Sequence, residues 1–253
     1  MKTRTLASAI LAIASLSLLS AERCMAHLSY TGRDFGIFSD SADKTFPISG
    51  QIVSGNYGWA DGTDADFGDS HKLKIFRFTL EDPMLITISV QGGSGLLPGF
   101  SLYSGLAHLS PNPPDHDGAA ITLSYLDFIG GGKEGAFNAL SNWRLGYDGA
   151  TSFSQLTTFM FEGYAVDGTP ANFGPAPGVV GDGLADGFVT KTFPLLAGDY
   201  SLFVGGADYA GTSASNYSIS VSVSNVAPVP EPSTSAAFVG GLATLCGLRR
   251  RKS

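Results

Sequence analysis

The sequence predicts a mainly β protein, an antiparallel, jelly-roll-like β-sandwich with a signal peptide before it and a short C-terminal hydrophobic helix after it. Three observations lead there. Apolar and polar residues alternate over several short segments, as in strands with one buried face. Between them lie turns rich in glycine, which with proline contributes 33 and 13 of the 253 residues. The remainder is heavy in Ser, Thr, Phe and Tyr, which favour strands and turns over helices.

The elements follow in order. Phe76, Phe78 and Leu80 alternate with Arg77 and Thr79; after Glu81-Asp82-Pro83 come Met84, Ile86, Ile88 and Val90. Strand, turn, strand reads as a hairpin with one buried face. Phe100 and Leu102, Leu123 and Tyr125, and Phe159 and Phe161 mark further strands. A similar unit recurs late: Val189 to Phe193, a turn at Ala197-Gly198-Asp199, then Tyr200, Leu202 and Val204. The cleanest alternation sets Tyr217, Ile219, Val221 and Val223 against serines. Two long insertions, Gly130–Asp148 and Asp167–Asp186, interrupt the pattern, and a short helix is expected around Glu134–Leu140.

Three regions divide the chain: 1–26, 27–226 and 227–253. The first carries Lys2 and Arg4, then the apolar run Leu6–Leu19, and ends at Cys24-Met25-Ala26. A basic start, a short apolar stretch and small residues at the cut form a secretory signal. The run is shorter than the ~20 residues of a membrane-spanning helix. Glu22-Arg23 before Cys24 do not fit a lipoprotein signal. Cys24 and Cys246 are the two cysteines, and both fall in segments expected to be removed, so the mature domain holds no disulfide.

Charge narrows the partners. Between His27 and Pro230 stand 8 Lys and Arg against 20 Asp and Glu, a net −12. An acidic body repels nucleic acid and anionic lipid. Nucleotide and hydrolase motifs are missing: Gly130-Gly131-Gly132-Lys133-Glu134 lacks the Ser or Thr of a P-loop. Gly92-Gly93-Ser94-Gly95-Leu96 is not a nucleophile elbow. No enzyme activity is expected.

The third region has its own signature. Pro230-Glu231-Pro232 precedes the apolar segment Ser235–Leu248, and Arg249, Arg250, Arg251 and Lys252 follow. In this order, at the extreme terminus, it resembles the PEP-CTERM sorting signal. The resemblance implies recognition by an exosortase-type enzyme and delivery to the cell surface or the exopolysaccharide matrix, after a transient stay in the inner membrane. The physics agrees: the basic cluster stays cytoplasmic while the short, glycine-containing stretch inserts. Signal peptidase is the other processing partner. The body is loosely similar to the jelly-roll of bacterial pre-peptidase C-terminal domains, over Phe76–Val90, Phe100–Tyr103, Phe193–Gly206 and Tyr217–Val223, with the turn Leu196–Tyr200 shared. Such domains are accessory and non-catalytic.

Candidate sites are few. Asp61, Asp64, Asp66 and Asp69 put four carboxylates in one glycine-containing loop, hard oxygen ligands of the kind Ca²⁺ takes. Lys72 stands where an EF-hand needs its closing Glu, and a solvated acidic loop is the alternative. Gly181–Gly187 is a second acidic, glycine-rich stretch. Cleavage after Ala26 leaves His27 first, offering an amine and a ring nitrogen to copper. A second histidine is needed, with His116 first in line, then His71; His108 is the remaining one. Trp59 and Trp143, in glycine-rich loops with Tyr57 and Tyr147, offer rings on which a sugar could stack, or plugs for the sandwich edge.

The expected function is therefore an exported, non-catalytic surface or matrix protein binding polysaccharide or Ca²⁺. Its rival is a copper-binding protein or oxidase built on His27.

Overall fold

Alternation along the strands builds two facing sheets in the computed structural model, which describes residues 29–39, 44–60, 67–107, 136–145, 157–174, 178–211 and 213–226. The strands are β1 (Asp34–Phe38), β2 (Thr45–Ser54), β3 (Phe67–Asp69), β4 (Lys74–Leu80), β5 (Met84–Gly92) and β6 (Pro98–Ser104). They continue with β7 (Ala136–Asn138), β8 (Trp143–Leu145), β9 (Thr157–Val166), β10 (Phe188–Leu195), β11 (Gly198–Gly206) and β12 (Asn216–Val226). One sheet runs β1-β4-β11-β6-β9-β8, the other β10-β5-β12-β2, and β3 pairs with β7. All pairings are antiparallel except β1 with β4. The mainly β, antiparallel expectation holds.

Two local expectations do not. β4 and β5 form no hairpin: β4 pairs with β1 and β11, whereas β5 pairs with β10 and β12. Glu81-Asp82-Pro83 is an arch that carries the chain from one sheet to the other. The same is true of β10 and β11. In both arches the alternating apolar residues meet across the sandwich, so the same pattern serves either pairing. The helix expected around Glu134–Leu140 is replaced at Ala136–Asn138 by β7, which takes its backbone partners from β3.

Between the sheets lies one core, where Phe76, Phe78, Leu102 and Leu202 pack against Ile86, Ile88, Val221 and Val223. A second cluster covers the other face of the six-stranded sheet. The residues facing it are the alternates, Ile75, Tyr103 and Phe203, joined there by Tyr30, Trp59, Leu73, Phe137 and Phe159. Phe203 stacks on Phe137 at 5.2 Å and meets Phe159 edge-on at 5.4 Å. This double coverage explains why β6 and β11 are buried almost without alternation. Among the described residues no helix is long and apolar enough to cross a membrane. The signal segment 1–26 and the sorting segment 227–253, with Pro230, Glu231, Pro232, Arg249, Arg250 and Arg251, lie outside the described residues.

Candidate functional site

The segment 57–60, and Asp69 with the turn that follows it, carry three of the candidates, Trp59, Asp69 and His71, and Trp59 belongs to the second cluster. Trp59 N donates to Gly206 O at 2.9 Å, and Asp69 N donates to Gly58 O at 2.7 Å, so the loop bridges β11 and β3. The Trp59 ring is wholly buried. It lies on Gly99, where a Cβ would come 2.7 Å from the indole. Its Nε1–H donates to Ser101 Oγ at 2.8 Å, and that hydroxyl donates to Ala139 O at 2.6 Å. The sugar-stacking expectation for Trp59 is thereby corrected: both faces of the ring are taken by protein, and its one polar atom is satisfied inside. Trp143 lies in β8, opposite Phe159.

Ten residues beyond Trp59, Asp69 caps the 3₁₀ turn Ser70–Lys72. Its Oδ1 accepts from His71 N at 3.0 Å and faces His71 Nδ1 at 3.2 Å. Its Oδ2 pairs with Lys72 Nζ at 2.9 Å, and Lys72 Nζ also sits 4.1 Å from the centre of the Tyr57 ring. Burial pushes the Asp69 carboxyl up, but the bonds from His71 and Lys72 outweigh it and hold the group at about 2. In the neutral tautomer whose Nδ1 proton is donated to this carboxylate, the lone pair lies on Nε2. That is the tautomer in which a histidine ligates metal while a carboxylate steadies its other nitrogen. His71 is about one-third exposed.

Because the folded Asp69 titrates below an ordinary Asp, its contribution is present above the unfolded value of 3.8 and is lost as pH falls through about 2. The shift corresponds to about 2 kcal/mol. Metal-free Asp69→Asn is expected to be less stable at neutral pH by up to that amount. Its denaturant midpoint should also fall less than that of the wild type between pH 5 and 2. Parallel pH series of urea melts for the two proteins check this.

Of the remaining candidates, Asp61, Asp64, Asp66, His27 and His116 lie outside the described residues, as does His108. In the second acidic stretch the carboxylates turn onto the backbone. Asp182 Oδ1 accepts from Gly168 N and Leu184 N, and Asp186 Oδ1 accepts from Phe188 N. Buried Asp167 accepts from Asp186 N and Gly187 N, at 3.1 and 2.6 Å, and burial pushes its carboxyl up. These groups clasp two loops together. Among the described residues no three His, Cys, Asp or Glu side chains stand together as a metal site.

Sequence reasoning missed the relay that anchors the start of the domain. Ala107 N donates to Tyr30 Oη at 2.9 Å, and Tyr30 Oη meets Ser201 Oγ at 2.7 Å. Ser201 Oγ in turn donates to Gly105 O at 2.5 Å. Burial pushes the Tyr30 hydroxyl up to about 12. No local pattern announces a bond spanning 171 residues. The Asp-x-His spacing of Asp69 and His71 was a signal that could have been read, because a short carboxylate two residues ahead can cap the turn and reach the ring.

Fold and site together define a two-sheet β-sandwich bearing a carboxylate-held imidazole beside its second cluster. No family model matches the chain, and no curated protein sequence does. Among solved structures it is similar to CorA of Methylomicrobium album BG8, a surface-associated copper-binding protein important in copper acquisition. That likeness has 16% identity and a TM-score of 0.49, and covers 79% of this chain and 99% of that one. It is also similar to MopE, a secreted protein of Methylococcus capsulatus in which an oxidized tryptophan facilitates copper binding. There the identity is 15% and the TM-score 0.46, over 77% of this chain and 87% of that one.

Proposed function

We propose that this chain is an exported, surface- or matrix-associated binding protein and that its ligand is a copper ion held through His71. The observation that carries the reading is the Asp69–His71 pair, which presets the imidazole for coordination through Nε2. Copper(II) suits such nitrogen donors. The same carboxylate, engaged by His71 and Lys72, is a poor calcium ligand, and this weighs against the Ca²⁺ reading of its loop.

The second cluster supplies the rest of the case. It contains Tyr30, Leu73 and Ala107. His27 precedes Tyr30 by three residues, His71 precedes Leu73 by two, and His108 follows Ala107 directly. In sequence, all three thus stand within three residues of a member of that cluster. On this reading the ligand set draws on His71, the His27 amine and imidazole, and His108, in place of the His27–His116 pairing. Export and sorting follow from the signal segment and the PEP-CTERM-like tail, with signal peptidase and an exosortase-type enzyme as processing partners.

Purified exported protein, stripped of metal, tests this by Cu(II) titration with electron paramagnetic resonance. Expected are nitrogen hyperfine structure and affinity reduced about 100-fold or more in His71→Ala. A spectrum without nitrogen coupling, or affinity unchanged in His71→Ala, overturns the reading. Mass spectrometry of the same sample settles whether the chain begins at His27, as the amine ligand requires.

A further inference from the structure

The outer face of the four-stranded sheet is unlike the rest of this acidic protein. Its strands β2, β5, β10 and β12 contain one charged residue, Lys191. That residue pairs with inward-facing Ile88, and its Nζ donates to Tyr164 O of the opposite sheet at 2.9 Å. The outer face therefore carries no charge, whereas ordinary protein surfaces are about 25–35% Lys, Arg, Glu and Asp. Its cover is hydroxyl-rich: Thr87 pairs with Thr192, and Ser89 with Thr190, at 2.8 Å each. Over these rows lies a shallow depression of about 210 Å³, lined among others by Pro47, Ser89, Gln91, Phe188, Ser220 and Ser222.

We infer that this face binds a neutral polysaccharide. The match is in charge and in chemistry. An uncharged face inside a body of strong negative charge gives no purchase to anionic glycans or nucleic acid. Hydroxyls and the Gln91 amide keep the face wet and offer both donors and acceptors. Phe188, 38% exposed, supplies an apolar rim against which the C–H face of a sugar can lie. Strands stand ~4.8 Å apart, close to the length of one sugar residue, so a glycan crossing the strands meets a fresh hydroxyl row with each ring. The inference rests on none of the metal ligands. It moves the carbohydrate contact from buried Trp59 to the opposite side of the sandwich.

Retention of the purified exported protein on amylose, mixed-linkage β-glucan and cellulose, with alginate as the anionic control, tests it. Expected is binding to at least one neutral glucan, unchanged by about 0.5 M salt, which screens exposed charges, and unchanged in His71→Ala. Ser222→Asp and Phe188→Ala, both at accessible positions, should each weaken it about 10-fold with the melting temperature held. Three results overturn the proposal: no retention on any neutral glucan, binding to alginate alone, or retention unaffected by Ser222→Asp. Sedimentation showing self-association that Ser222→Asp abolishes, without glucan binding, assigns the face to a second copy of the chain and overturns it equally.

Discussion

Trp59→Ala is expected to lower the unfolding free energy by about 3–5 kcal/mol, the range for truncating a large buried aromatic residue. The side chain is completely enclosed, rests on Gly99, and lies 5.5 Å from the Tyr164 ring. Glycine beneath it cannot reach up to fill the space, so the cavity stays open. Loss of the indole N–H also leaves Ser101 Oγ without its buried donor, which adds to the cost. Trp59→Phe should recover part of the packing but none of that bond, and should fall between the two. Equilibrium urea denaturation gives the ordering. A cost below about 1 kcal/mol for Trp59→Ala would contradict a core role, since accessible positions are the ones that tolerate such a change.

The fate of Trp59 shows what sequence patterning can and cannot resolve here. Periodicity found β4, β5, β6, β9, β10, β11 and β12, because in each the residues facing one of the two clusters recur at every second position, even in β6 and β11, whose other face is covered as well. It could not decide between hairpin and arch. Ile86 and Ile88 need a partner across the core whether β5 neighbours β4 or faces it, and only the long-range pairing with β12 settles the matter. β1 and β2 escaped notice for a different reason. Pro47 and Gly50 break the alternation of β2, and the latter sits at φ +72° where the β12 register shifts. Trp59 escaped because its loop looks exposed in sequence, with glycine and aspartate on either side. Its cover comes from β6, β9 and β11, residues 98–206, which no local window contains. The Asp69–His71 pair was locally legible; the cluster beside it was not, since Tyr30, Leu73 and Ala107 come into one cluster from segments far apart in sequence.

Gly68→Ala is expected to strike stability and metal binding together. A Cβ at this position would lie 2.1 Å from Gly58 O and 2.5 Å from Trp59 O, both backbone atoms that cannot rotate away. The two segments must therefore separate, breaking the 2.7 Å bond from Asp69 N to Gly58 O that holds them in register. Overpacking of this kind costs about 3 kcal/mol where the backbone has to move. Asp69 is the next residue, so its hold on His71 shifts with the strand. Copper affinity should then fall 10- to 100-fold, the range for losing the carboxylate behind a ligating histidine. The measurement is a thermal melt paired with a Cu(II) titration, the latter run well below the lowered midpoint so that the folded state is the one titrated. Asp69→Asn is the informative companion: it keeps an oxygen acceptor for the turn while removing the charge, and should weaken copper with a smaller loss of stability. If Gly68→Ala melts early yet binds Cu(II) like the wild type, the metal does not depend on the Asp69–His71 geometry. The donor set must then be sought away from this turn.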